Sequence, residues 1–165
     1  MRFITFIGGA ILGFVVGAMS QNVQASDENG DTFCMAQNIY FESANQPLAG
    51  KIAVAQVVLN RVDSVDYPDT VCGVIYDSKY FINWKGTLTP KRNMCQFSWF
   101  CDGKSDVPVD SATWLLSLHI ARDVVQGRYG DITEGSTHYH ATSVHPYWAD
   151  SLTEVATIDQ HIFYK

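Results

Sequence analysis

Positive charge is scarce in this chain. Its 165 residues carry 11 Lys and Arg against 17 Asp and Glu, a formal net charge of −6. A nucleic-acid binder neutralises phosphates with a basic footprint, so this balance argues against that partner class. It also argues against tight, purely electrostatic docking on an anionic surface. Cysteine is sparse as well. Cys34, Cys72, Cys95 and Cys101 are the only four, and none of their spacings is C-x2-C, which disfavours a tetrathiolate zinc site. Internal repeats and low-complexity segments are absent. What remains is one acidic domain of ordinary size.

The first feature present is an export signal. Arg2 precedes an uncharged apolar run from Phe3 to Met19, and Val23-Gln24-Ala25 fits a small-residue cleavage site. The run is short for a membrane span, and Gly8, Gly9, Gly13 and Gly17 weaken it as a helix. Residues 1–25 are read as a signal peptide, 26–32 as a flexible polar lead-in and 33–165 as the working domain. The membrane is a partner only if the signal stays uncleaved as an anchor. The working domain is on the far side of a membrane. An even cysteine count in an exported domain suggests two disulfides. Three pairings are possible; the favoured one joins Cys95 to Cys101 and Cys34 to Cys72.

Thr32 is a suitable N-cap for a helix running to about Ala44, with Cys34, Met35 and Ile39 inward. Pro47 suits the first turn of a second helix, whose Leu48, Ile52, Ala55, Leu59 and Val62 recur at three- to four-residue steps. A helical turn or two is expected over Val71–Tyr76. From Asp77 to Asp110 periodicity disappears, and the stretch reads as a long loop rich in aromatics. Ser111 opens a third helix to about Gln126, with Trp114, Leu115, Leu118, Ala121, Val124 and Val125 apolar. Thr137–Thr142 and Glu154–Tyr164 look like short strands. The fold class is α+β, mainly α.

Chemistry concentrates at Tyr40-Phe41-Glu42-Ser43. A carboxyl set among Ile39, Tyr40 and Phe41 loses solvation, which disfavours its ion and raises its pKa. A carboxylic acid still protonated near neutral pH can protonate a glycosidic oxygen.

Ala36-x-x-x-Tyr40-x-Glu42, Gly50-x-x-Ala53-Val54-Ala55-x-Val57-x-x-Asn60-Arg61, Pro68-x-Thr70-Val71-Cys72, Cys95-Gln96-Phe97-Ser98, Ala121, Gly127, Thr137-His138-Tyr139-His140, Trp148 and His161-x-Phe163-Tyr164 occur in this order. Together they resemble the SleB/CwlJ-type cell wall hydrolases over residues 33–165. The resemblance implies a lysozyme-like single domain, related to lytic transglycosylases, with peptidoglycan as its partner. It implies cleavage of the β-1,4 bond between N-acetylmuramic acid and N-acetylglucosamine, with Glu42 as general acid and then base. Gln96 and Phe97 resemble the substrate-lining Gln-aromatic element of lysozyme-like transglycosylases. Tyr139 matches a position where a tyrosine meets the acid or the sugar. Ser43, His138 and Trp148 complete the expected substrate-binding set.

A transglycosylase needs one carboxylate, whereas ordinary hydrolysis needs two. Candidate second carboxylates are Asp102, Asp106, Asp131, Glu134 and Asp150, none in a setting as apolar as that of Glu42. Arg61 reads as a structural ion-pair partner and His161 as a satisfied buried histidine. Two rivals stand beside this reading. His138, His140 and His145 form H-x-H-x4-H, a donor set for a zinc amidase acting on peptide stems. A non-catalytic wall-binding domain is the other. On the main reading no cofactor or metal is required, and a monomer is expected.

Overall fold

The computed structural model describes residues 21–165; the apolar run Phe3–Met19 lies outside the described residues. Four helices are described: α1 (Gln21–Ser43), α2 (Leu48–Val62), α3 (Val71–Ile75) and α4 (Ser111–Val125). Strands β1 (Ser78–Ile82) and β2 (Leu88–Cys95) form one antiparallel hairpin. Strands β3 (His138–Ala141), β4 (Glu154–Ile158) and β5 (His161–Tyr164) form a second antiparallel sheet in the order β3-β5-β4. Mainly helical, with short C-terminal strands, the domain has the expected fold class. No described helix is long and apolar enough to cross a membrane.

α2 is central because it is apolar nearly all round. Ile52, Ala55 and Val58 pack with Met35 and Ile39 of α1, Val74 of α3, and Ile120 and Val124 of α4. Ala53 and Val57 turn the other way, onto Phe163 of β5. One helix thus joins the helical layer to the sheet. Leu48, expected on the buried stripe, is exposed, because the first turn of α2 projects beyond the core. Leu115 of α4 is likewise exposed.

Two further expectations are corrected. α1 does not start at Thr32; it runs through residues 26–32, and Thr32 is a buried interior residue. Extending a helix already fixed by packing costs less than nucleating one, so a polar stretch can follow. Residues 77–110 are not one long loop but contain the β1–β2 hairpin and a 3₁₀ turn, Ser98–Cys101. Both favoured disulfides are present: Cys34–Cys72 joins α1 to α3, and Cys95–Cys101 closes the base of the hairpin.

The sheet is fastened to α2 by side chains. Asp159, in the β4–β5 turn at φ 52°, accepts from the Gly50 amide at 2.8 Å. A Cβ at position 50 would stand 2.9 Å from that carboxylate, so only glycine fits without displacement. Gln56 accepts from the Ile132 amide and donates to the Gly130 carbonyl. Asn60 donates to Thr133 and to the Ser136 carbonyl, each at 3.0 Å. The segment leading into β3 is therefore held along one polar edge of α2.

Candidate active site

Glu42 lies in the last turn of α1. Its neighbour Phe41 stacks on Trp99 at 4.9 Å, and Trp99 donates to buried Asn38. Tyr40 accepts from the amides of Val109 and Asp110. Buried Lys51 donates its ammonium to the carbonyls of Ala44 and Gln46, just beyond α1. These contacts fix the helix end and hence the carboxyl.

Tyr139 of β3 donates its hydroxyl to Glu42 Oε2 at 3.3 Å. Burial pushes the Glu42 carboxyl above its ordinary value; the Tyr139 hydrogen bond and the charge of Arg61 oppose that without cancelling it. The negative end of the α1 dipole also disfavours the ion. Burial, with the Glu42 charge adding to it, drives the Tyr139 phenol well above its ordinary range, so it remains a donor.

Arg61, in the last turn of α2, is buried between the rings of Tyr67 and Phe97, 5.3 Å from each centroid. Its Nε donates to the Thr137 carbonyl at 2.8 Å, while Nη1 has no hydrogen-bond partner. The expected structural ion pair is not formed among the described residues. Its charge instead acts on Glu42 and Tyr139, a role that sequence reasoning missed, because only the fold brings the ends of α1, α2 and β3 together. His161 is buried but not satisfied: Nδ1 lacks a partner, and its ring meets Tyr139 edge-on at 5.2 Å. Burial lowers its pKa.

Space opens on both sides of Glu42. One cavity, of about 360 Å³, is walled by Arg61, Gln96, Phe97, Tyr139 and His161 with Glu42 and Ser98. The other, of about 300 Å³, is walled by Phe41, Trp99, Asp102 and Asp106, again with Glu42 and Ser98. The structure thus gathers Glu42, Gln96, Phe97 and Tyr139. It also brings two of the candidate second carboxylates into the site. Burial raises the Asp106 pKa, and the Asp102 charge adds to the shift.

Three expected substrate contacts stand elsewhere. Ser43 is fully buried and donates to the Ile39 carbonyl at 2.9 Å, bonding back into its own helix. His138 precedes Tyr139 on a strand, so its side chain points to the opposite face, where it meets Trp148 at 5.5 Å. Trp148 packs against His140 and Tyr164, and neither it nor His138 lines the two cavities. Two members of the zinc triad are engaged otherwise. Both ring nitrogens of His140 are engaged, by the Ala141 carbonyl and the Tyr164 hydroxyl, and His145 pairs with Asp150 at 3.0 Å. No group of three metal-binding side chains forms among the described residues.

The sequence profile of the cell wall hydrolases matches residues 45–164. The chain belongs to that family. The matched segment begins just after Glu42, so this acid rests on its own geometry. A spore cortex-lytic enzyme of Halalkalibacterium halodurans is 31% identical over 146 residues, which is 86% of this chain and 37% of that protein. This chain spans well under half the length of the curated relatives it matches. The catalytic domain of the Bacillus cereus SleB protein superposes with a TM-score of 0.61 at 28% identity, covering 83% of this chain and 91% of that one. The catalytic domain of the germination-specific lytic transglycosylase SleB from Bacillus anthracis gives the same score and identity, with 92% and 100% covered.

Proposed function

We propose that this family member cleaves the glycan strand of peptidoglycan between N-acetylmuramic acid and N-acetylglucosamine as a lytic transglycosylase. The observation that carries the reading is one carboxyl, Glu42, raised in pKa by burial and touched by a tyrosine, between two open cavities. Glu42 gives its proton to the glycosidic oxygen as the C1–O bond breaks. The carboxylate so formed is stabilised by the Tyr139 hydroxyl and the Arg61 charge. It then takes the proton of the muramic C6 hydroxyl, whose oxygen closes on C1 to leave a 1,6-anhydro end. Glu42 ends protonated, ready for the next cycle.

Gln96 and Phe97 form one wall of the substrate groove. An amide that donates and accepts suits an N-acetyl group. Export to the periplasm or cell wall belongs to the same proposal, supported by two disulfides, which persist in oxidising compartments. A monomer is sufficient for this chemistry.

One observation favours a second reading. Asp102 and Asp106 share a cavity with Glu42, and a second carboxylate is what activation of water requires. That reaction would be muramidase hydrolysis with a reducing end. The engaged histidines count against zinc amidase chemistry, and the raised acid counts against a purely wall-binding module.

Mass spectrometry of muropeptides released from purified peptidoglycan tests the assignment. Anhydro-muramic ends are expected, and Glu42→Gln should fold yet lose about a hundredfold or more in rate. Reducing ends would select hydrolysis, severed stems on intact glycan would revive the amidase, and undiminished cleavage by Glu42→Gln would sink Glu42 as the acid.

A further inference from the structure

The β1–β2 hairpin inverts the character of the molecule. Residues 78–95 hold Lys79, Lys85, Lys91 and Arg92 and no acid, while the rest of the chain holds seven cations against seventeen anions. The hairpin is also apolar where it meets solvent. Ile82 and Leu88 face each other across the ladder, with Tyr80 opposite Pro90 two pairs below, so these four share a face. Ile82 is 71% exposed, Leu88 64%, and Trp84 at the tip 89%. Both strands are exposed along most of their length, so neither face of the hairpin is used for the core.

We propose that this hairpin docks the domain on an anionic phospholipid surface. Cations along the strands meet headgroup phosphates, while Trp84, Ile82 and Leu88 enter the boundary between headgroups and acyl chains. Tryptophan favours that boundary, and lysine stems can lie along apolar surface with the ammonium kept at the phosphates. Lys85 already lies over the Trp84 ring at 4.9 Å.

A glycan suits this tip poorly. Its one carboxamide, Asn83, is consumed internally, donating to Thr89 and accepting from the amides of Lys85 and Thr87. Ile82 and Leu88 offer a sugar neither a hydrogen bond nor a flat ring, and Lys85 covers one face of the Trp84 ring. The base of the hairpin, by contrast, is stapled by Cys95–Cys101 and runs straight into Gln96 and Phe97 of the catalytic cavity. Docking would therefore hold the cavity within roughly 20 Å of the lipid surface.

Trp84 provides a local reporter in the full chain, whatever residues 1–20 do. Tryptophan emission is recorded with vesicles of phosphatidylglycerol and phosphatidylethanolamine carrying brominated acyl chains, and with phosphatidylcholine vesicles. Quenching is expected with the anionic vesicles and not the neutral ones, and Trp84→Phe should abolish it. Lys85→Glu with Lys91→Glu should weaken vesicle partitioning roughly tenfold. Raising salt toward 1 M should weaken it too, since the Debye length falls to about 3 Å. Circular dichroism checks that each variant folds. Emission unchanged by brominated lipid, in protein that nonetheless sediments with vesicles, would overturn the proposal. So would an Ile82→Ser/Trp84→Ser variant that loses binding to lipid-free peptidoglycan while keeping its vesicle binding, or a concentration-dependent dimer that the same variant abolishes.

Discussion

The two antiparallel sheets of this domain are built on opposite terms. The β3-β5-β4 sheet presses Phe163, fully buried, onto Ala53 and Val57 of α2, and that pressure sets Tyr139 beside Glu42. The β1–β2 hairpin presses on nothing comparable; its pairing and a disulfide at its base hold it, and its apolar residues face out. A buried sheet face contributes stability, and a side chain there is chosen for fit. An exposed one contributes little, so six large exposed apolar side chains between Tyr80 and Met94 call for a reason outside the fold.

The sharpest way to break this contrast is to truncate both sheets. Phe163→Ala should cost about 3–5 kcal/mol in a denaturant titration, through lost burial and a residual cavity. A cost near that of a surface change would mean the C-terminal sheet is not the anchored one. The disulfides come next. Replacing Cys34 and Cys72 by Ser frees a 38-residue separation and should cost about 4 kcal/mol, against about 2 kcal/mol for the 6-residue separation of Cys95 and Cys101. Equal losses would show that the hairpin staple carries more of the fold than its position suggests.

A smaller effect is read in pH. In the proposed mechanism Glu42 acts as an acid, so kcat/KM should fall as pH rises through its raised pKa. Because the Tyr139 hydrogen bond and the Arg61 charge both pull that pKa down, Tyr139→Phe and Arg61→Met should each move the alkaline limb upward. A downward move would reverse their assigned roles. The sign for stability follows from the same shift. A carboxyl whose folded pKa is raised has its stability fully present below the ordinary value of 4.5 and loses it as pH rises through the folded value. Thermal melts of Glu42→Gln should therefore gain on the parent at neutral pH, and the gain should vanish toward pH 4. The smallest effect is at Ile82→Ser, expected within about 0.5 kcal/mol of the parent, since little native contact is lost.

The same contrast decides what could be read from sequence. α2 was legible because Ile52, Ala55 and Val58 recur with the period of a buried face, and β3 to β5 because β-branched and aromatic residues cluster there. The hairpin was not, because alternation is the imprint of one buried side and this hairpin has none. The start of α1 was misjudged because a strong N-cap residue such as Thr32 does not prevent a helix from continuing. Glu42 stood out through its apolar neighbours in the chain. Asp102 and Asp106 were two of five candidate carboxylates that the sequence could not rank, and Arg61 and His161 read as structural, because only tertiary contact joins these four to the acid.

Glu42 and Ser98 belong to both cavities, so the acid stands at a waist, with room before it and beyond it. A polymer laid across such a waist needs no free end to be threaded, and its two halves can leave sideways. For the proposed reaction this means cuts in the interior of long strands. Average chain length would then collapse early, well before short fragments accumulate.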